Sequence, residues 1–471
     1  MFSQLGVIGI GIMGQGIVKN LSSNKYSVSI YDKNSNKTDD FYFENAKKYP
    51  KITSYKTLED FILSLERPRI IFLLVNAGEI TDSLINSLLP ILDIGDIILD
   101  MGNSYYKDTI RRSEFLSSKD IEFLGVGISG GEKGALIGPS IMVGGSKKAW
   151  QIVEGILKSM AATKPNGEKC CDYFGKGGAG HFVKMVHNGI EYAYMELLAE
   201  IYFLIKDLYE FPNEKVADFF FELNNDKNLS SYLTDLSYKI LSTKDIITGN
   251  PIIDVISDVA GNKGTGGWTS IAAIELGVGV PVLNASLNMR YISTELEIRK
   301  EISKEYILLD RNKNIQSLSS KIIKEAIEFS QFICFEQGLK VIQAASENMM
   351  WGIDISKVVG VWEKGCIIST DFSEKIKIAA CNNENRYSIL LDKNIFDTLV
   401  RCEESARKVA SQALNSQLPM PCLTNSILYF DSIRTKVLPT NFIQAQRDFF
   451  GAHTYNRNDL DGFFHTKWED E

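Results

Sequence analysis

The chain has 471 residues, 44% hydrophobic and 23% charged, with a net charge of −8 at pH 7. That length suits two or three globular domains, and the acidic balance excludes a global basic field, so no nucleic-acid partner is expected. No apolar run is long enough to span a membrane, a strand starting at Leu5 leaves no room for a leader, and the seven cysteines (170, 171, 334, 366, 381, 402, 422) form no CxxC pair or zinc spacing, so reduced thiols in a cytoplasmic protein without a metal are expected.

Leu5 to Ile10 is a short apolar run suited to a buried parallel strand. It leads into Gly9-Ile10-Gly11-Ile12-Met13-Gly14, a G-x-G-x-x-G match, and helical patterning follows through Ile17, Val18 and Leu21. Glycines also serve ordinary turns, but here a second strand follows at residues 28–31 and ends in Asp32, 18 residues beyond Gly14. That is where a dinucleotide-binding unit places an acid for the ribose hydroxyls, with the pyrophosphate on the helix N-terminus. Further buried strands are predicted at residues 69–75, 97–100 and 121–126. The loops after them, Asn76-Ala77-Gly78, Met101-Gly102-Asn103-Ser104 and Gly127-Ile128-Ser129-Gly130-Gly131, should line a cleft beyond the carboxyl ends of the sheet.

From about residue 179 the pattern becomes long helices, the first over residues 181–209 and another over 319–350. Gly180 to Tyr192 places Lys184, His187, Asn188 and Glu191 on one helical face. Lys184 and Glu191 stand about 10 Å apart along the axis, at about 1.5 Å rise per residue, which leaves room for a small polar substrate between a base and an acid. Burying both charges is costly, and a plain buried ion pair remains an alternative. Residues 261–269, Gly-Asn-Lys-Gly-Thr-Gly-Gly-Trp-Thr, read as a mobile polar loop, with a surface linker as the alternative. In Gln444 to Tyr455, Arg447 and His453 could grip a phosphate or merely cap and pack a helix. The aromatic end, Gly462 to Trp468, should dock on this subunit or a partner.

These segments resemble the 6-phosphogluconate dehydrogenases, the decarboxylating enzymes of the oxidative pentose phosphate pathway. The resemblance runs from Leu5 to Trp468. It rests on Ser129-Gly130-Gly131-Glu132 with Gly134, Gly180 to Tyr192, Gly264-Thr265-Gly266 with Trp268-Thr269, and Gln444 to Tyr455. It implies an α/β Rossmann-type domain (residues 1–178), a large all-α domain (179–435) and a C-terminal tail (436–471) that inserts into the partner of a homodimer. By resemblance, Lys184 is the base that takes the C3 hydroxyl proton of 6-phosphogluconate, and Glu191 is the acid that protonates C1 of the enediol left when CO₂ departs. Burial would lower the pKa of the one and raise that of the other, as those roles need. Asn103, Ser129, Gly130, Gly131, His187 and Asn188 would hold the carboxylate and hydroxyls. Tyr192, Lys263, Arg290, and Arg447 and His453 of the partner subunit would hold the phosphate. Gly9 to Gly14 (Gly9, Ile10, Gly11, Ile12, Met13, Gly14), Asp32, Lys33, Asn34, Val75, Asn76, Ala77 and Asn103 would bind the dinucleotide.

The chain departs from the family pattern at the cofactor. Asp32-Lys33-Asn34 stands where Asn-Arg-Thr is usual, and Asn76 replaces a lysine. The resemblance implies NADP, but a carboxylate repels a 2′-phosphate and suits free ribose hydroxyls, so NAD or dual use is expected. Glu363 and Ser369 occupy positions where arginines are usual, which should alter local ion pairing. Two alternatives are another β-hydroxyacid dehydrogenase, such as one acting on 3-hydroxyisobutyrate, and a non-catalytic dinucleotide sensor.

Overall fold

In a computed structural model, residues 2–261, 264–305, 315–382 and 388–468 are described. Those up to Ser426 form one compact unit and those from Ile427 a second.

The first unit opens with eight strands: β1 Leu5–Ile8, β2 Val28–Tyr31, β3 Ile52–Ser54, β4 Ile70–Leu73, β5 Ile97–Asp100, β6 Glu122–Ser129, β7 Ser140–Gly145 and β8 Cys171–Tyr173. They make one sheet in the order β3-β2-β1-β4-β5-β6-β7-β8. All neighbours are parallel except β6 and β7. Seven helices connect them: α1 Ile12–Ser23, α2 Ser35–Asn45, α3 Leu58–Leu63, α4 Glu79–Leu88, α5 Tyr106–Ser117, α6 Gly131–Ile137 and α7 Lys147–Met160. β1, β4 and β5 are buried along their whole length, as expected of parallel strands covered on both faces. One core lies on each side. Ile17, Val18, Leu21 and Trp150 belong to the first, and Phe61, Ile85, Leu88 and Leu116 to the second. Chain direction switches between β1 and β4, so a crevice opens beyond their carboxyl ends.

Three strands, β3, β7 and β8, were not expected from the sequence. β6 also runs to Ser129, so Gly127, Ile128 and Ser129 lie in a strand and not in the loop predicted there. The cause is β7, which returns antiparallel and pairs Gly127 with Met142 and Ser129 with Ser140.

The helical part begins with α8 Ala179–Phe203, which continues through a π-helical turn to Leu208. There follow α9 Asn213–Asn224, α10 Tyr232–Leu241, α11 Thr265–Glu275, α12 Pro281–Thr294, α13 Leu296–Glu305, α14 Ser320–Asn348, α15 Ile355–Trp362, α16 Ser373–Asn382 and α17 Lys393–Asn415. α8 is the central element and packs on β6, β7, α5, α11, α12 and α14. Its Glu200 carboxylate, buried at 2% exposure, accepts the backbone N–H groups of Cys422 (2.5 Å) and Leu423 (3.0 Å). These open α18 Pro421–Arg434, so the carboxylate satisfies orphan donors of a helix N-terminus. Glu363 accepts from Lys377 (3.1 Å) and Lys164 (3.4 Å).

The seam between sheet and α8 is lined by glycines. A Cβ on Gly144 would lie 2.3 Å from Gly180 N, and one on Gly180 would lie 2.6 Å from Gly125 O and Met142 O. A Cβ on Gly127 would lie 2.3 Å from Cβ of Lys184. At Gly144 and Gly180 backbone thus rests on backbone, and at Gly127 Lys184 leaves α8 directly beside β6.

In the second unit, α19 Thr440–Gly451 precedes an extended segment folded back on it. Asp448, 0% exposed, accepts from Thr454 N (3.0 Å), His465 Nδ1 (2.9 Å), Thr466 N (3.0 Å) and Trp468 Nε1 (2.9 Å). Burial works against its charge, yet donors from Thr466, His465 and Trp468 outweigh it and hold the carboxyl at about 2.

Candidate active site

The Gly180 to Tyr192 segment is helical, as its spacing predicts, and brings Lys184, His187, Asn188 and Glu191 together. Lys184 is buried at 7% exposure and donates from Nζ to Asn188 Oδ1 (2.7 Å). His187, fully buried, contacts Ser129 Oγ through Nε2 (3.1 Å), Asn188 Oδ1 through Nδ1 (3.2 Å) and Glu191 Oε2 through Nδ1 (3.6 Å). Burial, and then the adjacent Lys184, hold the His187 pKa well below its ordinary value, so the ring is neutral and carries one proton. One consistent arrangement has Ile367 N–H donating to Ser129 Oγ (3.3 Å), the Ser129 hydroxyl donating to Nε2, and Nδ1–H facing Asn188 Oδ1, with Lys184 Nζ 3.3 Å from the same Nδ1. Ser129 on β6, the Gly365–Ile368 turn and α8 thereby form one hydrogen-bonded wall.

The two ionisable ends are shifted in opposite senses. Burial lowers Lys184, with Glu191 opposing the shift. Burial raises Glu191, with Lys184 and Arg290 opposing it. Each group is moved toward its neutral form, the pattern of a base and an acid and not of a simple ion pair. The buried-ion-pair alternative therefore loses ground, since Lys184 makes its short contact with an amide oxygen.

Gly130 and Gly131 have φ of 130° and 62°, and a Cβ on Gly130 would lie 2.6 Å from Gly365 O. Only glycine fits there, and Gly365 was not singled out in the sequence. Asn103 is exposed at the mouth of the β5–α5 loop, and Tyr105 beside it packs on Trp268 with ring centroids 4.9 Å apart.

Thr265–Glu275 is a helix, which corrects the mobile loop expected over residues 261–269. Its glycines permit contact with α8: a Cβ on Gly266 would lie 2.5 Å from the Tyr192 ring, and one on Gly189 2.7 Å from Thr269. Thr269 Oγ1 also donates to Met185 O (2.8 Å). Lys263 lies outside the described residues. Arg290 sits over Tyr192, with Cζ 3.6 Å from the ring centroid, and donates to Gly261 O (2.8 Å). Tyr192, the residue after Glu191 on α8, and Arg290 of α12 are thus together. Burial pushes nearby Glu196 up to about 7, against the opposing charge of Arg290. Arg447 and His453 belong to the second unit and are both exposed, Arg447 on α19 and His453 just past its left-handed end at Ala452.

The dinucleotide candidates surround the crevice. A Cβ on Gly9 would lie 2.4 Å from Leu74 O and one on Gly14 2.0 Å from Gly9 O, whereas one on Gly11 would meet nothing within 4 Å. That is a tight turn with an open approach to the α1 N-terminus, where no side chain caps the helix. A cleft of about 550 Å³ continues past it, lined among others by Asp32, Lys33, Val75 and Glu79. Ile12, Lys33, Asn34 and Asn76 are exposed, and Ile10 is buried. Asp32 is less available than its position suggested: Oδ2 accepts Ile10 N–H (2.8 Å) and Oδ1 accepts Asn34 N–H (2.9 Å). Part of the carboxylate joins the glycine turn to the end of β2.

Residues 4–175 match the model of the NAD binding domain of 6-phosphogluconate dehydrogenase, and residues 180–468 that of its C-terminal domain. The chain belongs to the 6-phosphogluconate dehydrogenase family. It is 43% identical to the decarboxylating 6-phosphogluconate dehydrogenase of Lactococcus lactis subsp. cremoris, over 100% of this chain and 99% of that one. It is also 43% identical to the NADP(+)-dependent, decarboxylating enzyme of Bacillus subtilis, over 99% of both. Among solved structures, Plasmodium falciparum 6-phosphogluconate dehydrogenase superposes with a TM-score of 0.93 at 37% identity, covering 99% of this chain and 100% of that one. That protein was described in its apo form, with NADP+ and with 6-phosphogluconate.

Proposed function

We propose that the protein catalyses oxidative decarboxylation of 6-phospho-D-gluconate to D-ribulose 5-phosphate and CO₂ in the oxidative pentose phosphate pathway, with NADP as acceptor. The observation that carries this reading is the wall of Ser129, Lys184, His187, Asn188 and Glu191, with its two oppositely shifted ends. When bound, the oxidised nicotinamide supplies a hydride acceptor. Lys184, as neutral amine, takes the C3 hydroxyl proton as hydride departs from C3, and Asn188 and neutral His187 fix the amine in place. The resulting β-keto acid loses CO₂ because the C–C electron pair moves into the adjacent carbonyl. Protonated Lys184 returns its proton to that carbonyl oxygen, giving an enediol; Glu191 in its acid form then protonates C1 of the enediol while Lys184, neutral again, takes the C2 hydroxyl proton to leave the ketone. Ser129, Gly130, Gly131 and Asn103 border the carboxylate and hydroxyl end, and Tyr192 and Arg290 the phosphate end, to which the family resemblance also assigns Lys263.

Initial rates of NADP and NAD reduction with 6-phosphogluconate, with CO₂ measured alongside, test this directly. One CO₂ per reduced dinucleotide is expected. No turnover with either dinucleotide would remove the substrate and favour another β-hydroxyacid.

The cofactor preference rests on charge. Asp32→Asn is expected to raise the NADP-to-NAD ratio of kcat/KM about tenfold, roughly 1.4 kcal/mol, because a like charge near the 2′-phosphate is removed. An unchanged ratio would mean that the Ile10 and Asn34 amides already neutralise the carboxylate.

We further propose a division into residues 1–178, 179–435 and 436–471, and a homodimer in which Arg447 and His453 of the partner subunit complete the phosphate site. In support, α19 carries exposed Phe442 and Phe450, at 68% and 72%, an apolar face suited to burial against another copy. Mixing Lys184→Met and Arg447→Ala subunits tests it. With sites shared between subunits, random pairing restores about a quarter of wild-type activity, since half of the dimers are hybrid and each has one intact site. No recovery would place the tail in its own subunit's site. A cytoplasmic location fits the seven cysteines, which are all free; among the described residues no helix is long and apolar enough to cross a membrane.

A further inference from the structure

Beneath the loops that end β4 and β5 lies a guanidinium with no part in the mechanism above. Arg112 of α5 is 2% exposed. Its Nε donates to Asp82 Oδ1 on α4 (2.7 Å) and its Nη2 to Gly78 O (3.0 Å), at the end of the loop that carries Val75, Asn76 and Ala77. Its Nη1 donates to Asp100 Oδ2 and Ser104 Oγ, both at 3.3 Å. Asp100 closes the network: Oδ2 accepts from Ser104 Oγ (2.7 Å) and Oδ1 from Gly102 N (3.1 Å). Asn103 is therefore exposed while the residues on either side of it are tied down.

A guanidinium buried only for stability would need acceptors anywhere in reach. Three of the four acceptors here are instead the end of the cofactor loop, the last residue of β5 and the loop that bears Asn103. The planar fork reaches both loops at once, which the single ammonium of lysine cannot do.

We propose that Arg112 is a positioning residue that holds the cofactor loop and the Asn103 loop in one register, so that dinucleotide and substrate binding are coupled. This rests on the reading of those loops under the proposed function. The test uses full-length Arg112→Lys, which keeps the charge and loses the fork, and Ser104→Ala, which removes the tie to the Asn103 loop alone. Three quantities are measured: the NADP Kd with and without 6-phosphogluconate, the steady-state constants, and amide hydrogen exchange of residues 76–78 and 101–104.

In Arg112→Lys, the NADP Kd and the KM for 6-phosphogluconate should each rise about tenfold, and the factor by which one ligand alters the affinity of the other should move toward one. Exchange should quicken in both loops together. In Ser104→Ala, exchange should quicken mainly at residues 101–104, with the KM for 6-phosphogluconate raised and the NADP Kd near wild type. A lower thermal midpoint with unchanged constants and unchanged loop exchange would make Arg112 purely structural and overturn the proposal. If Arg112→Lys fails to fold, Ser104→Ala decides alone, and unchanged exchange and KM there overturn it equally. If the wild type binds NADP but not 6-phosphogluconate, the substrate reading fails. The exchange of the two loops, which needs no substrate, then still decides the role of Arg112.

Discussion

Lys184→Met is expected to lower kcat by at least about a thousandfold, roughly 4 kcal/mol of barrier, while the NADP Kd changes by less than about twofold. The methionine fills similar volume, so the α8 seam should survive, and only the amine beside Asn188 and His187 is lost. The dinucleotide crevice lies at the β1–β4 switch, built from other residues, which is why binding should persist. The split between lost turnover and kept binding is what an enzyme with a lysine base predicts. A sensor would lose little by the substitution. Turnover within tenfold of wild type would remove Lys184 from the role of base.

Glu191→Gln is expected to cut kcat about a hundredfold and to change the shape of the pH profile. Burial lowers Lys184, so its neutral, base form persists to lower pH than usual, and activity falls as pH drops through that lowered value. Burial raises Glu191, so its acid form persists to higher pH than usual, and activity falls as pH climbs through that raised value. The pair titrates as a unit and gives a bell in the wild type. In Glu191→Gln the alkaline limb should disappear and the acid limb remain. An alkaline limb that stays in place would assign it to another group and leave Glu191 without the role of acid.

Much of this site was legible in order along the chain. The glycine turn, Asp32, and the helix of Lys184, His187, Asn188 and Glu191 follow from local spacing, because one strand–turn–helix and one helical face contain them. What escaped depended on distant partners. β7 ends in Val143-Gly144-Gly145, a poor strand by composition, and exists because Gly144 must meet the first turn of α8. α11 begins Thr-Gly-Gly-Trp, a poor helix start by propensity, yet those glycines let it press against Tyr192. Glycine at two successive positions on one face of β6, Gly125 and Gly127, was a readable sign that something packs flush there. Asp32 sat where expected, but its two backbone donors come from loop geometry that no spacing reveals.

The glycine seam also bears on engineering. Protein stabilisation often begins by replacing strand and helix glycines with alanine, which restricts the unfolded chain. At Gly127, Gly144 and Gly180 the same substitution would wedge α8 away from the sheet and carry the catalytic amine with it. Libraries built on this scaffold should therefore hold those three positions invariant and seek gains on the outward faces of α2, α13 and α17.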